Sequence, residues 1–342
     1  MSGKIKVAVV QMIAKPAPVA ERLARAESLI AEAAQAGAQL VVLPEVFNTG
    51  YEYSDENYRL AEPLDGQTAT WMKKVTAQYG VHLAGTFLRS QQGDIYNTCL
   101  LVAPDNRTWH YDKRYPWMWE RAYFRPGSGI TIADTDLGKI GMVICWDVAH
   151  PQLWQEYAGK VELMLASSCP PAAQNMTLVF PDSRRIEFSK LGLMMRLIKR
   201  NADETFGAHL RRQSSNMNVP VLHTTGTGLF RAKLPSPRIS LASLLLSVPH
   251  LWKYVQQAEH VFIESRYFNE TYIADDTGNV LTRVPPEVES FALAEIEIPV
   301  TPPQPHGKQP AFGISALSYW SDAFANWAVS STYRKKRQKL QQ

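Results

Sequence analysis

Cysteine is scarce. The chain has three in 342 residues, Cys99, Cys145 and Cys169, an odd number with no CxxC spacing. That argues against a disulfide framework or a zinc knuckle, and predicts a reducing compartment with room for one reactive thiol. No run of about 18 apolar residues occurs, so no transmembrane helix is expected. The opening MSGKIKVAVVQM has two lysines, but its apolar run is only a strand long and reads as no signal peptide. Excess charge of one sign is also lacking. Lys plus Arg number 36 against 32 acidic residues, and a net charge of +4 is too small to argue for nucleic acid. There is no GxGxxG or P-loop pattern, no fixed-period repeat and no domain linker, so neither a metal nor an organic cofactor is expected. With 45% apolar and 20% charged residues, what remains is a globular cytoplasmic chain.

The first half alternates between two periodicities. Strands are predicted at Lys4–Gln11, Leu40–Leu43 and Val81–Leu88, and helices at Val19–Ala36, stopped by Gly37, and Gln67–Tyr79. Ile95–Ala103 and Thr108–Asp112 read as a hairpin around Pro104–Asn106. Leu137–Cys145 and Val161–Ala166 are strands flanking a helix near Pro151–Tyr157. This rhythm predicts an α/β layered domain over residues 1–299, with Val219–Thr225, Glu270–Asp275 and Ser290–Ile298 continuing the sheet pattern. Two helical insertions, about 175–202 and 231–264, interrupt it. Residues 300–342 form a tail that starts Pro-rich, crosses Tyr319–Trp327 and ends basic.

Chemistry-bearing residues follow three of these strands. Glu45 stands in LPEVFNTGY directly after a strand and a proline. Lys113 opens a segment, KRYPWMWE, that reaches Glu120. Cys145 stands in GMVICWDVAHP at the end of an apolar strand. Side chains at the carboxyl ends of strands in α/β layers converge on one crevice. A thiol is mostly protonated at neutral pH and needs a base, which Glu45 supplies if burial raises its pKa. Lys113 can stabilise a thiolate and a developing oxyanion, with the Trp146 backbone N–H as second donor. Singly, each residue has a plainer reading: a core thiol, a helix-terminal carboxylate, a solvated edge lysine. Cys99 and Cys169 are read as core thiols.

Taken together and in order, the segments resemble the nitrilase superfamily of carbon–nitrogen hydrolases. LPE-x-F-x-TGY resembles its glutamate motif, DK followed by WE and F-x-PG its lysine motif, and G-x-x-IC-W-D-x-x-x-P its nucleophile elbow. The resemblance implies a four-layer αββα sandwich that assembles as a homodimer or higher oligomer. It implies Cys145 as nucleophile, Glu45 as base, Lys113 as oxyanion donor and Glu120 as supporting carboxylate, with Trp146, Tyr51, Trp119 and Ser167 expected around the substrate. Gln152 and Ala149 depart from the family pattern at positions that shape the pocket. The implied reaction is amidase-type hydrolysis of a non-peptide carbon–nitrogen bond through a thioester. A nitrilase or an N-acyltransferase would use the same residues, and a non-catalytic membrane-surface scaffold is the reading of another class.

The insertions carry the last expectation. Between Arg184 and Arg238 eleven basic residues face three acidic ones, interleaved with an amphipathic face (Leu191, Met194, Met195, Ile198) and the apolar run Ile239–Val248. An apolar face rimmed by cations suits an in-plane interfacial helix on an anionic membrane. A lipid-linked amide or nitrile substrate, rather than a soluble one, would then follow. The competing reading is two packed helices with solvated basic rims.

Overall fold

Alternation along Gly3–Ile13 decides the layering. Val7 and Val9 face one apolar core, while Ala8, Val10 and Met12 face another. Both faces are buried, as a central strand of a layered sheet requires. The computed structural model describes residues 3–192, 195–196, 204–307, 313–329 and 331–341. Its first sheet runs in spatial order Gly226–Thr227, Gly3–Ile13, Leu40–Val42, His82–Gln91, Asp94–Val102 and Thr108–Asp112, with Ser290–Ile298 antiparallel to Gly3–Ile13. A second sheet takes Val280–Arg283, Tyr272–Ala274, Val221–Thr224, Leu163–Ser167, Gly138–Ile144 and Ile132–Thr135. Residues 219–225 and 270–275, expected to continue one sheet, thus belong to the second, whereas 290–298 belongs to the first. Apolar alternation marks a strand but carries no information about its partner.

The two sheets pack face to face. Val7, Val9, Leu40, Val42, Cys99 and Leu101 from one meet Ile140, Met142, Ile144, Leu163 and Leu165 from the other in a single core. Helices α1 (Val19–Gln35) and α2 (Gln67–Tyr79) cover the outer face of the first sheet through Leu23, Ala26, Ile30, Met72 and Val75. Gly80, at φ 66°, ends α2 in the left-handed conformation and returns its N–H to Thr76 O at 2.9 Å. Helices α3 (Pro151–Tyr157) and α4 (Leu210–Met217) cover the second sheet with Leu153, Trp154, Tyr157, Leu210 and Met217. The result is the expected αββα order.

The insertions are not wholly helical, which corrects the expectation for them. Thr177–Val179 and Arg185–Glu187 are strands, and they join Phe262–Arg266 and Leu229–Lys233 in a third, four-stranded sheet. The ladder to Phe262–Arg266 is a long-range pairing, invisible to a local helical pattern. The run Ile239–Val248 contributes α5 (Pro237–Leu244), whose Leu241 and Leu244, with Leu245, are buried in a second core. Leu191 and Met195 are buried there too, whereas Met194, Ile198, Lys199 and Arg200 lie outside the described residues. Two of the basic residues have local uses, since Arg185 and Arg231 both pair with Glu264. The tail forms α6 (Ala316–Val329) and α7 (Thr332–Gln341). Asp322 accepts the Met118 N–H at 2.5 Å, and Tyr319 bonds the Ala149 carbonyl. No described helix is long and apolar enough to cross a membrane.

Candidate active site

Strand ends from both sheets bring the expected side chains together. Glu45 follows Leu40–Val42 after Leu43 and Pro44, Lys113 follows Thr108–Asp112, and Cys145 follows Gly138–Ile144. The Glu45 loop is clamped between the sheets. Ser167 Oγ and Thr224 Oγ1 donate to the Leu43 carbonyl at 3.0 and 3.1 Å, and Val46 N–H donates to Thr86 Oγ1 at 2.7 Å. Cys145 stands at φ 49°, a left-handed conformation that costs a non-glycine residue energy. The neighbouring Asp147 holds this turn. Its Oδ2 accepts Ile144 N–H at 3.0 Å and Tyr111 O–H at 2.8 Å, and its Oδ1 accepts Tyr115 N–H at 2.8 Å. One carboxylate therefore ties the cysteine turn to the strand end that carries Lys113.

Lys113 is fully buried between two carboxylates. Its Nζ lies 2.8 Å from Glu45 Oε1 and 2.9 and 2.7 Å from the two oxygens of Glu120. Glu120 also accepts Tyr51 O–H at 2.5 Å and Trp117 N–H at 2.6 Å. Glu45 Oε1 accepts Asn97 Nδ2 at 2.8 Å, while its Oε2 is buried without a conventional donor. A further side-chain contact of the Glu45 carboxyl is the Cys145 thiol. Burial pushes Glu45 up to about 7, with Lys113 pulling it back and Glu120 pushing it further. Burial, and then the Glu45 charge, raise the Cys145 thiol well above its ordinary value. For Lys113, burial opposes the charge, but Cys145, Glu120 and Glu45 outweigh it, and its pKa rises. The resting arrangement is thus a neutral thiol, an ammonium and a carboxyl poised near neutrality.

A family model described as carbon-nitrogen hydrolase matches residues 6–190, which include Glu45, Lys113, Glu120 and Cys145. The chain belongs to the carbon–nitrogen hydrolase family. Curated relatives include a nitrilase of Pyrococcus abyssi, 36% identical over 154 residues, and an omega-amidase of Xenopus laevis, 35% identical over 188. The alignments cover 43% and 51% of this chain, and 58% and 66% of those relatives. Among solved structures, a CN-hydrolase superfamily protein from Xanthomonas campestris superposes with a TM-score of 0.61. Its identity is 15%, over 97% of both chains, which is a likeness of fold.

Family membership puts weight on the cavity that opens at Cys145, of about 80 Å³. Trp117, Met118, Trp146, Met176, Phe188, Phe206 and Phe268 line it, with Thr205, Ser318 and Ser321 as its hydroxyls. No charged side chain lines it among the described residues. Of the expected pocket residues, Trp146 lines this cavity. Tyr51 reaches the site through Glu120 instead, and Ser167 serves the Glu45 loop. Trp119 is buried in the second core against Tyr53, so its neighbours Trp117 and Met118 hold the lining positions. Trp146 is also the second residue of a short 3₁₀ turn, Cys145–Ala149, where the first N–H groups have no intrahelical acceptor.

Asn97, Asp147 and the tail residues Ser318 and Ser321 were missed by sequence reasoning. Asp147 had a signal, its place two residues after the cysteine. Asn97 lies in the middle of a strand, where an inward polar residue looks like any other, and the serines come from a helix with no motif.

Proposed function

We propose that this chain is a thiol-dependent hydrolase of non-peptide carbon–nitrogen bonds, of the amidase type, that takes an apolar acyl group. The observation that carries this reading is one buried cluster. In it a thiol meets a carboxyl poised near neutrality, a lysine joins that carboxyl to a second one, and the thiol itself lines an apolar cavity. In the cycle, Glu45 takes the thiol proton as the Cys145 sulfur bonds to the substrate's carbonyl carbon. Charge develops on the carbonyl oxygen, toward which Lys113 Nζ and the Trp146 N–H act as donors. Lys113 makes two contacts with Glu120, so turning one N–H to the oxyanion leaves it bonded to both carboxylates. As the tetrahedral adduct collapses, the carbon–nitrogen bond breaks. The leaving nitrogen takes the proton from Glu45, and a thioester remains. Water then gives its proton to Glu45, attacks the thioester and releases the acid, and the proton returns to sulfur.

A nitrile would pass through a thioimidate, and an amine in place of water would make the same site an acyltransferase. The uncharged lining favours an apolar acyl group over one ending in a carboxylate. We place a homo-oligomer and contact with an anionic membrane in the same proposal. The former rests on the family, the latter on Ile239, Leu246, Trp252 and Trp320, which are exposed at 54%, 60%, 48% and 75%.

Intact-mass spectrometry tests the central claim. Incubation with apolar primary amides should release ammonia and trap an acyl adduct that maps to Cys145, absent from Cys145→Ala. Ammonia with the adduct from nitriles alone would make the chain a nitrilase. No adduct and no ammonia from either class would return it to the scaffold reading.

A further inference from the structure

The cavity at Cys145 shares part of its wall with a second groove. Met118, Met195 and Ser321 line the cavity on one side and also line this groove, which is about 300 Å³ and leads outward. The outer groove is walled by Trp119, Leu244, Leu246, Trp320 and Phe324, with Ala325 and Ser243 as its small side chains. Apart from the hydroxyls of Ser243 and Ser321 its lining is apolar among the described residues, and its outer rim is left in water. Leu246 is 60% exposed, Trp320 75% and Phe324 43%. Exposed apolar side chains that cluster around an opening mark a binding surface more often than ones scattered singly. Two elements build this opening, α5 with the residues after it and α6 of the tail. Neither lies within the segment that matches the family model.

We propose that this outer groove is the distal part of the acyl subsite, and that the preferred substrates are amides of long, unbranched, aliphatic acids. The inference rests on the function proposed above. The occupant is argued from continuity. A chain whose carbonyl carbon is at Cys145 fills the inner cavity first, and the groove that shares Met118, Met195 and Ser321 with that cavity offers it further apolar space. Two methionines at that shared wall suit a sliding hydrocarbon, because the unbranched thioether side chain adapts to what it touches. The hydroxyl of Ser321 is the one polar side-chain group the two share, so nothing there offers a charge to a polar tail.

The experiment is a chain-length series of straight-chain primary amides below their aggregation limits, with ammonia release read as kcat/KM. Past the length that fills the inner cavity, kcat/KM should climb by about fourfold per methylene and then level off. Two variants tell the groove from general hydrophobicity. Ser243→Phe narrows the groove and should bring the plateau to shorter amides. Trp320→Ser removes an exposed wall without touching a core, and should flatten the climb. A profile flat or falling beyond the short amides overturns the proposal, as does a climb that both variants leave unchanged. If no amide of any length is hydrolysed or forms an adduct, the proposed function has failed instead.

Discussion

A lysine with no access to solvent is tolerable only while its counter-charges stay in place. Lys113 has two, and removing it would leave Glu45 and Glu120 buried beside each other, so Lys113→Ala is a poor probe of chemistry. Cys145→Ala is the clean one. It should fold as the parent does and lose at least about 10⁴-fold in kcat, and residual turnover within a few-fold would remove Cys145 from the proposed role. Tyr51→Phe tests the support of the cluster. Its hydroxyl donates to Glu120 at 2.5 Å, and losing a hydrogen bond to a charged group should cost about 1.5–3 kcal/mol in a urea titration. The pH profile belongs to the same scale. Glu45 must be ionised to accept the thiol proton, and its pKa stands at about 7. Accordingly kcat/KM should fall on the acid side with an apparent midpoint near neutrality, and Glu45→Gln should remove the activity, not shift the limb.

Elements hold these residues through contacts that can be broken one at a time. Asp322 of α6 accepts the Met118 N–H, and burial pushes its carboxyl from 3.8 up to about 6. A carboxyl raised on folding contributes stability that is fully present below its unfolded pKa and lost as pH rises through the folded one. Relative to Asp322→Asn, the parent should lose roughly 3 kcal/mol at most between about pH 4 and 6. Unfolding titrations of the pair across that window check it, and a constant difference would remove Asp322 as the cause. In the first sheet, a Cβ on Gly226 would sit 2.4 Å from Cys169 Sγ and 2.7 Å from Ala14 Cβ. Gly226→Ala should therefore destabilise by about 1–3 kcal/mol through overpacking.

At the scale of the whole molecule, the exposed side chains set the prediction. Ile239, Leu246, Trp252 and Trp320 are large apolar side chains left exposed. On the proposed membrane reading, the protein should co-sediment with anionic liposomes and be partly released by physiological salt. Equal recovery in the supernatant with and without liposomes would end that reading. Light scattering at micromolar concentration addresses the proposed oligomer, for which a dimeric mass or larger is expected.

What the sequence determined by itself was local or ordered along the chain. The helices at Val19 and Gln67 show a 3.6-residue period with glycine stops, and most strands of the two large sheets an apolar run. Glu45, Lys113 and Cys145 were legible because each follows a strand within a recognisable segment, and strand ends in layered sheets converge. Only the tertiary structure decided which sheet each later strand joined, because hydrogen-bond partners are chosen by long-range pairing and not by pattern. It also decided that Thr177–Val179 is a strand rather than helix, since its ladder to Phe262–Glu264 spans some 85 positions, and Arg185–Glu187 then pairs with Thr177–Val179 at the edge of that sheet. Asn97 on Glu45, Asp147 on the cysteine turn and α6 at the cavity mouth are contacts across the fold. Asn97 and the α6 residues become distinctive only when the fold has placed them beside the cluster or the cavity.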